Sequence, residues 1–419
     1  MFIAGNAGRR YIRRVRNVLG VAVATVAAAL FVSPALGVSG QMRTVYVLTS
    51  WTQQSPFTTA ETERVAAETD AFFRASSAGR FAMPGFVAGP IQLPRAVFNS
   101  CDATVVRNAA PPSLFEGFDR AVIITPQVDA CRFHGEANPT EVFLNGRLTR
   151  SLAAHELGHT LGLAHASRWA CGTRCTVDEY GNPFSVMGSG DGDLDAYEKF
   201  SLEWLTGVVR PEGDGTHEIG PIEGPTALPQ ALVVTTASSE FWLESRASPT
   251  PSFYGETLQP PGVVALAGPG PGGGWVFPRP NLVVQNPAGG ARYAYQPGES
   301  LVRRGVFAVS VETHAPDRAL LRFRWLDKVA PRRPRLRARA IRKGRIRLTW
   351  DSARERGSGV RSYEVRLDGK AVQIVDAVQA LFSWQVTIRA PRGVHRVAVV
   401  ATDRAGNRGL AASARVRLR

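Results

Sequence analysis

The stretch from His155 to His165 limits the folds open to this chain more than any other feature of its 419 residues. His155 and His159 are four residues apart, so a helix would present both imidazoles from one face. Gly162 permits a sharp turn with positive φ, which would end the helix and bring His165 back to the first two histidines. We therefore expect a helix, a turn and a returning loop that together build one metal site.

The side chains in this stretch are those of a catalytic zinc site. Three neutral imidazoles suit Zn²⁺, with N–Zn distances of about 2.0–2.1 Å, and they leave one coordination position for water. Glu156 lies one step round the helix, where it reaches that water without being a ligand, and it is the candidate general base. Zinc lowers the pKa of its water and polarises a scissile carbonyl. The alternative is a helix whose histidines are satisfied in a core, and three histidines with a glutamate at this spacing argue against it.

The same residues resemble the extended zinc-binding motif of the metzincin clan, in which a methionine turn follows the third histidine. The segment Ser185–Gly188 matches that turn. The resemblance implies that Met187 forms a hydrophobic floor beneath the zinc site and is not a ligand. It also implies that the chain is a zinc metallopeptidase.

Within that clan the chain most resembles the gametolysin-type peptidases and their bacterial relatives, over roughly residues 43–325. The segments that carry this resemblance are Tyr180–Gly188, Ala196–Leu205 and Phe241–Arg246. One departure is Ser189, which stands where some metzincins have a tyrosine, and Tyr180 is no clear substitute. Stabilisation of the oxyanion would then fall to zinc and to backbone groups.

Apolar periodicity predicts an α+β fold for the N-terminal region. The expected elements are strands at Thr44–Leu48, Arg80–Val87 and Arg120–Thr125, an edge strand at Glu141–Leu144, and helices over 59–77, 149–163 and 195–206. The last helix begins with a capping box of Asp195 and Glu198 and ends at Gly207. We assign residues 38–210 to this domain, which the resemblance makes a metzincin-like zinc peptidase domain.

Two all-β domains of the β-sandwich type are expected after residue 210. Short alternating runs separated by Pro and Gly clusters fill residues 211–327, and a second set fills residues 335–419. Trp350 is the expected core tryptophan of the second set. The segment Ala401–Asn407 resembles the end of bacterial Ig-like or fibronectin-III-like modules.

Residues 1–37 have the pattern of a signal peptide. Five arginines precede an apolar run from Val18 to Val32, which is short for a membrane span, and small residues follow at Ala35 and Gly37. We expect a secreted, extracellular protein that is either free or associated with the cell surface. The alternative is an uncleaved N-terminal anchor.

Export into an oxidising compartment predicts disulfides among the four cysteines. We favour the pairs Cys101–Cys131 and Cys171–Cys175, because the members of each pair are close in sequence and lie in loop-like stretches. The competing interpretation of the second pair is a zinc site. No second pair of ligands lies near it in sequence, as such a site would need.

Positive charge is concentrated at the C-terminal end of the chain. Residues 328–419 hold 23 Lys and Arg against 6 Asp and Glu, in a chain whose formal net charge is +15. Such a region favours polyanions, and we expect an anionic cell-wall or surface polymer as a partner, without specific recognition of nucleic acid. The alternative is a solvated strand face in an arginine-rich protein.

Asp191, Asp193 and Asp195 alternate as in a calcium-binding loop, which makes Ca²⁺ a second candidate ion. However, Ala196 and Leu202 stand where an EF-hand has its glycine and its closing glutamate. The alternative is a set of solvated loop acids that includes a helix cap.

Together these features predict a secreted zinc-dependent endopeptidase that hydrolyses peptide bonds of a protein or peptide substrate, with a zinc-activated water and Glu156 as general base. Two alternatives remain open. One is a cell-surface or wall-binding protein that uses its basic C-terminal β-sandwich, and the other is a zinc amidase that acts on wall peptides. The presence of all three histidines together with Glu156 favours the enzyme.

Overall fold

The computed structural model describes residues 37–51, 55–171, 175–253, 258–269, 282–284, 292–377 and 383–419. Gly37–Arg419 forms one compact unit. The expected signal peptide lies outside the described residues apart from its last residue, Gly37. No helix in the described part is both long enough and apolar enough to cross a membrane.

A five-stranded mixed sheet organises the N-terminal region. The strands of this region are β1 (Gly40–Gln41), β2 (Thr44–Ser50), β3 (Phe81–Ala82), β4 (Gly85–Gln92), β5 (Arg120–Thr125), β6 (Gly135–Ala137) and β7 (Glu141–Asn145). In the order β4-β2-β5-β7-β6, the first four strands are parallel and β6 is antiparallel at the edge, while β1 and β3 form a separate parallel pair. Every residue of β2 is buried, as expected for a strand that is covered on both faces of the sheet.

In the described residues, four helices and two 3₁₀ turns accompany the sheets. They are α1 (Thr59–Ser76), α2 (Ala103–Ala109), α3 (Arg150–Thr160) and α4 (Ala196–Ser201), and the turns are Arg95–Val97 and Pro112–Leu114. Thr58 and Glu61 form a capping box at the start of α1. Phe73 of α1 and Leu157 of α3 belong to one buried core with Val122 of the sheet.

Several N-terminal elements differ from the prediction. The strand at Glu141–Asn145 is interior, because β6 pairs with its outer side and becomes the edge. Neither β6 nor α2 is predicted: β6 has only three residues, too few to show alternation. The expected strand Arg80–Val87 is divided between β3 and β4 at Met83 and Pro84, since proline has no N–H to donate to a neighbouring strand.

The helix expected over 195–206 ends at Ser201, and Gly207 does not terminate it. The Trp204 N–H donates to the carbonyl of Lys199, five residues earlier, at 2.7 Å. This is the 6→1 hydrogen bond of a Schellman cap. Glu203 takes the left-handed φ of 60° that glycine usually supplies in this motif. Trp204 is 2% exposed, so burial of its indole stabilises the early end of the helix.

Two sheets form the middle of the molecule. Their strands and one small hairpin are β8 (Ser167–Cys171), β9 (Cys175–Asp178), β10 (Val208–Val209), β11 (Gly215–Ile219), β12 (Ala231–Thr235), β13 (Ser239–Arg246), β14 (Thr250–Pro251), β15 (Leu258–Gln259), β16 (Gly262–Pro269), β17 (Leu282–Val284), β18 (Ser300–Arg303), β19 (Phe307–Ala315) and β20 (Arg318–Trp325). The orders are β10-β12-β13-β16-β17-β8-β9 and β11-β20-β19-β18, and β14 pairs with β15. Phe241, Phe307 and Phe323 lie in the core between the two sheets.

The seven-stranded sheet takes strands from both sides of residue 210, since β8 and β9 precede that position and β12, β13 and β16 follow it. The regions on either side of residue 210 are therefore joined by main-chain hydrogen bonds as well as by the chain itself. The domain limits at residues 210, 327 and 335 stay a prediction.

The C-terminal region folds as two antiparallel sheets around one core. Its strands are β21 (Leu336–Ile341), β22 (Arg345–Asp351), β23 (Val360–Leu367), β24 (Lys370–Asp376), β25 (Ser383–Arg389), β26 (Gly393–Asp403) and β27 (Ala412–Leu418), in the orders β21-β22-β25 and β24-β23-β26-β27. Trp350 is 1% exposed and packs edge-on to Tyr363 in the core, as predicted. The chain as a whole is mostly β in several small sheets, which agrees with the β-rich part of the expected fold class.

The predicted disulfide between Cys101 and Cys131 is present, and their Cα atoms are 5.4 Å apart. It ties the start of α2 to the loop that precedes β6. Cys171 and Cys175 are register partners in the hairpin of β8 and β9, but their side chains lie outside what the structure describes. Their pairing stays a prediction.

Candidate metal centre

Helix α3 carries three of the predicted site residues, His155, Glu156 and His159, on a segment that is held rigidly. Thr149 caps the helix by accepting a hydrogen bond from the Leu152 N–H at 3.2 Å. His155 and Glu156 are each 6% exposed. The observed helix agrees with the prediction except for its last turn, which ends at Thr160.

The turn after α3 brings the third histidine to the first two. Gly162 has φ 89°, so the predicted left-handed turn is present. The Leu163 N–H donates back to the Gly158 carbonyl at 3.2 Å, and the Ala166 N–H donates to the Met187 carbonyl at 2.8 Å. The chain therefore reverses and places His165 beside the helix.

The three histidines converge on one point. Ring centroids are 4.8 Å apart for His155 and His159, 4.8 Å for His159 and His165, and 5.4 Å for His155 and His165. Each ring offers one ligand nitrogen, and these nitrogens all lie within 4.8 Å of one another. Among the described residues, this is the only group of three His, Cys, Asp or Glu side chains that could hold a metal ion.

The Nδ1 atom of each imidazole already forms a hydrogen bond, so Nε2 is the nitrogen left to bind a metal. The Nδ1 atoms of His155 and His159 are each 2.8 Å from a backbone carbonyl, that of Val186 and that of Leu163. The Nδ1 atom of His165 is 2.8 Å from the carboxylate of Glu179. Since a carbonyl or carboxylate oxygen only accepts, each Nδ1 carries the proton and each Nε2 keeps a free lone pair. Three neutral imidazoles in this arrangement fit a divalent zinc ion.

Desolvation favours the same neutral state. Burial, together with the neighbouring His159, lowers the pKa of His155 to about 4. Burial also lowers the pKa of His159. Both imidazoles are therefore neutral at pH 7 and ready to act as ligands.

Met187 packs against α3 at Gly158, one residue before His159, and its role as the floor of the site stays a prediction. Its side chain is fully buried, and a Cβ atom added to Gly158 would come within 2.5 Å of its sulfur. The Met187 N–H donates to the Ser185 hydroxyl at 3.0 Å, and that hydroxyl donates to Glu198 at 2.7 Å. The turn is thus fixed both to α3 and to α4.

Glu156 stands beside the three histidines in an apolar environment. Burial, together with the charge of Glu136, raises the pKa of its carboxyl to about 8. The carboxylate lies against the backbone of Gly135 on the edge strand β6, where an added Cβ atom would be 2.3 Å from its Oε1. A side chain at position 135 is therefore excluded while Glu156 keeps this position.

Two aromatic rings border the site, and the sequence predicts a role there for neither of them. The Tyr180 ring centroid is 4.0 Å from that of His165 and 6.1 Å from that of His155. The Phe253 ring centroid is 6.3 Å from that of His155, and the Phe253 N–H donates to the Ser189 carbonyl at 2.7 Å. Tyr180 is 48% exposed, so one side of the site is open to solvent.

Tyr180 lies at the site although its place in the sequence, before the methionine turn, gives no clear sign of it. The hairpin of β8 and β9 returns the chain over His165. Burial, Glu179 and Glu156 raise the pKa of the phenol, which therefore stays protonated and able to donate a hydrogen bond. The neighbouring Glu179, which orients His165, is not predicted either. The only sequence feature that points to Glu179 and Tyr180 is that both lie shortly before the methionine turn.

Buried charges connect the methionine turn to the middle sheets. The Arg246 guanidinium lies 2.7 Å from the Glu244 carboxylate, and both side chains are fully buried on β13. The Ala196 N–H at the start of α4 donates to Glu244 at 2.6 Å, and Lys199 pairs with Asp193 at 2.6 Å. Partnered charges of this kind hold α4 and the loop before it in register with β13.

The three aspartates considered for calcium each have a protein partner. Asp191 pairs with Arg150 at 2.7 Å, and Asp193 pairs with Lys199. Asp195 forms the capping box of α4 with Glu198, as predicted. Asp195 is fully buried, and Asp191 and Asp193 are partly buried. In the described part of the chain the three acids form no group able to hold a metal.

No protein-family model matches the chain, and no curated protein matches it at a significant level. Among solved structures, the chain is similar to archaemetzincin from Methanopyrus kandleri, with 16% identity over 39% of this chain and 94% of that one, and a TM-score of 0.25. It is also similar to fibronectin(III)-like modules of CbhA from Clostridium thermocellum, with 15% identity over 20% of this chain and 96% of those modules, at TM-score 0.18.

A third similar structure is the spore cortex lytic enzyme SleM from Clostridium perfringens, with 14% identity, a TM-score of 0.19 and coverage of 25% of this chain. The match spans about a third of SleM, 34% of its length. Likenesses at TM-scores this low establish neither fold nor activity. The functional assignment of this chain therefore rests on the geometry of its own residues.

Proposed function

We propose that this chain is a zinc-dependent endopeptidase of the metzincin type. The observation that carries the proposal is the convergence of His155, His159 and His165, with each Nδ1 bonded on the far side, beside the carboxyl group of Glu156. The buried Met187, which packs against Gly158, and the positive φ of Gly162 support the same family. A zinc ion bound there supplies Lewis-acid polarisation of a carbonyl and activation of water near neutral pH.

The residues of the chain have distinct roles in this proposal. The three imidazoles hold the ion through Nε2 and leave its remaining side for substrate and water. Glu156 takes a proton from water and passes it to the leaving amine. Met187 and Gly158 fix the floor of the site.

The edge strand supports a peptide as the substrate. Strand β6 is at the free edge of the N-terminal sheet, and its Gly135 touches the carboxylate of Glu156. An extended peptide can add to such an edge through main-chain hydrogen bonds. A chain bound there would pass directly by the proposed general base, as an enzyme that cuts within a polypeptide requires.

Export is part of the same proposal. The Cys101–Cys131 disulfide supports it, because structural disulfides persist in oxidising compartments. The basic, apolar and small-residue pattern of residues 1–37 is the second support.

The decisive experiment replaces Glu156 by Gln in the full chain and measures cleavage of a peptide library together with zinc content. We expect turnover to fall by a factor of about 10³ or more with zinc and fold retained, since the general base is lost and the ligands are not. Glu63→Gln is the matched control, because it removes an exposed carboxylate on α1 that has no part in the proposed chemistry, and it should keep most activity. Full activity of Glu156→Gln, or no peptide cleavage by the wild type loaded with zinc, would contradict the proposal.

A further inference from the structure

The outer face of the sheet β21-β22-β25 carries five arginines, Arg337, Arg339, Arg345, Arg347 and Arg389, which we call the arginine face. Inward residues of these strands, such as Trp350 and Leu348, are buried, so the alternate positions point outwards.

Register places the arginines in a grid. Arg339 is opposite Arg347, and Arg345 is opposite Arg389. Neighbouring strands are about 4.8 Å apart, and alternate residues along a strand are about 6.8 Å apart. The five arginines therefore form a diagonal band across the three strands, with short distances between neighbouring charges.

Carboxylates do not neutralise this face. In the described residues, none of the five arginines forms an ion pair, and the Nε–H of Arg347 is buried without a hydrogen-bond partner. The opposite sheet, β24-β23-β26-β27, has a carboxylate that neutralises arginines. Glu364 of β23 forms ion pairs with Arg366 on the same strand and with Arg408 at 2.6 Å. Asp351, at the end of β22, is the single acidic residue on the three strands of the arginine face.

Like charges directly opposite on neighbouring strands destabilise a sheet. The arginine face keeps two such pairs on three strands. The opposite sheet keeps one, Arg396 opposite Arg415, and its Glu364 compensates Arg366 and Arg408. A bound polyanion would relieve the repulsion of both pairs at once, and planar guanidinium groups suit carboxylates and other oxyanions.

We propose that the arginine face binds a linear acidic polysaccharide. No aromatic side chain projects from it, since Trp350 and Trp384 both point into the core, so it lacks the platform on which unpaired bases stack. It also lacks the aromatic or apolar rim with which a protein surface enters a lipid layer. Repeating charge along this band fits a linear glycan with one carboxylate on each sugar. The proposal does not depend on the peptidase activity.

The test measures binding of the full chain to polygalacturonate at several salt concentrations, with oligothymidylate and phosphatidylserine-containing vesicles as competitors. We expect the glycan to bind more tightly than either competitor at equal ionic strength. The double variant Arg339→Gln/Arg347→Gln should bind the glycan about tenfold more weakly and with a smaller dependence on salt, because fewer counterions are released.

The matched control is Arg366→Gln/Arg396→Gln, which removes the same charge from the outer face of β23 and β26, the two inner strands of the opposite sheet, and should change affinity less than about twofold. Equal losses in both double variants, tighter binding of the nucleic acid or the vesicles, or no binding of the glycan would each overturn the proposal. Thermal unfolding checks the fold, and the melting temperature of the first variant should stay equal or rise because repulsion is removed. If that variant does not fold, Arg337→Gln/Arg389→Gln tests the same face.

Discussion

Each imidazole of the metal centre owes its orientation to the bond made by its Nδ1 atom. Two of these bonds go to backbone carbonyls, which no side-chain substitution removes. The third goes to the carboxylate of Glu179, whose side chain is 68% exposed. The position of His165 is therefore the part of the site most easily changed by mutation.

Replacing Glu179 by Ala is expected to weaken zinc affinity about tenfold, at the lower end of the range for outer partners of metal ligands, because the carboxylate is exposed. Glu179→Gln should recover most of the affinity, since its amide oxygen can still accept from Nδ1. Competition with a fluorescent chelator measures both values. Equal zinc affinity in wild type and Glu179→Ala would show that Glu179 does not position His165.

Gly135 is expected to control the position of Glu156. An alanine there would place its Cβ atom 2.3 Å from the carboxylate, so Glu156 must move. Displacement of a catalytic group by about 1 Å can cost a factor of about 10² in rate. Steady-state kinetics of Gly135→Ala should show a fall in kcat with zinc content unchanged. Gly215→Ala, on strand β11 with only ordinary contacts, is the matched control and should leave kcat unaltered.

At the scale of single elements, α3 and the turn after it follow from local sequence. The spacing of His155 and His159, the cap at Thr149 and the free conformation of Gly162 are all decided within one short segment. The formation of strand β6 and the position where α4 ends depend instead on residues far away in sequence. Three residues of β6 acquire their structure only by pairing with β7, and Trp204 ends α4 because its indole is buried against Phe73 and Phe81.

Helix α4 also introduces a pH dependence into stability. Burial raises the pKa of Glu198 from 4.5 to about 7, although hydrogen bonds from Asp195 and Ser185 oppose this. The folded protein binds this proton more tightly than the unfolded chain does, so the protonated carboxyl contributes its full stabilisation below about pH 4.5. That contribution is lost as the pH rises towards 7.

The Glu198→Gln variant keeps an oxygen that accepts the same hydrogen bonds but does not ionise. Its free energy of unfolding relative to wild type should therefore rise between pH 4.5 and 7 and level off at higher pH. Chemical denaturation of both proteins with a chelator present measures the difference without a contribution from metal. A constant difference across that range would show that Glu198 does not titrate in the fold.

On the scale of the whole molecule, the metal centre depends on elements from well separated parts of the chain. The methionine turn is tied through Glu198 to α4, and α4 is tied through Glu244 to β13. Phe253 reaches the site from beyond β14. Sequence patterns place these parts in separate domains and do not predict the contacts, because buried pairs such as Glu244 and Arg246 carry no local pattern.

X-ray absorption spectroscopy at the zinc edge, on the full chain produced in zinc-replete medium, tests the central claim most directly. We predict about one zinc ion per chain with three nitrogen ligands at about 2.0–2.1 Å, and loss of that ion when His165 is replaced by Ala. A chain that carries no zinc, or a zinc ion bound through sulfur and unaffected by His165→Ala, would contradict the account.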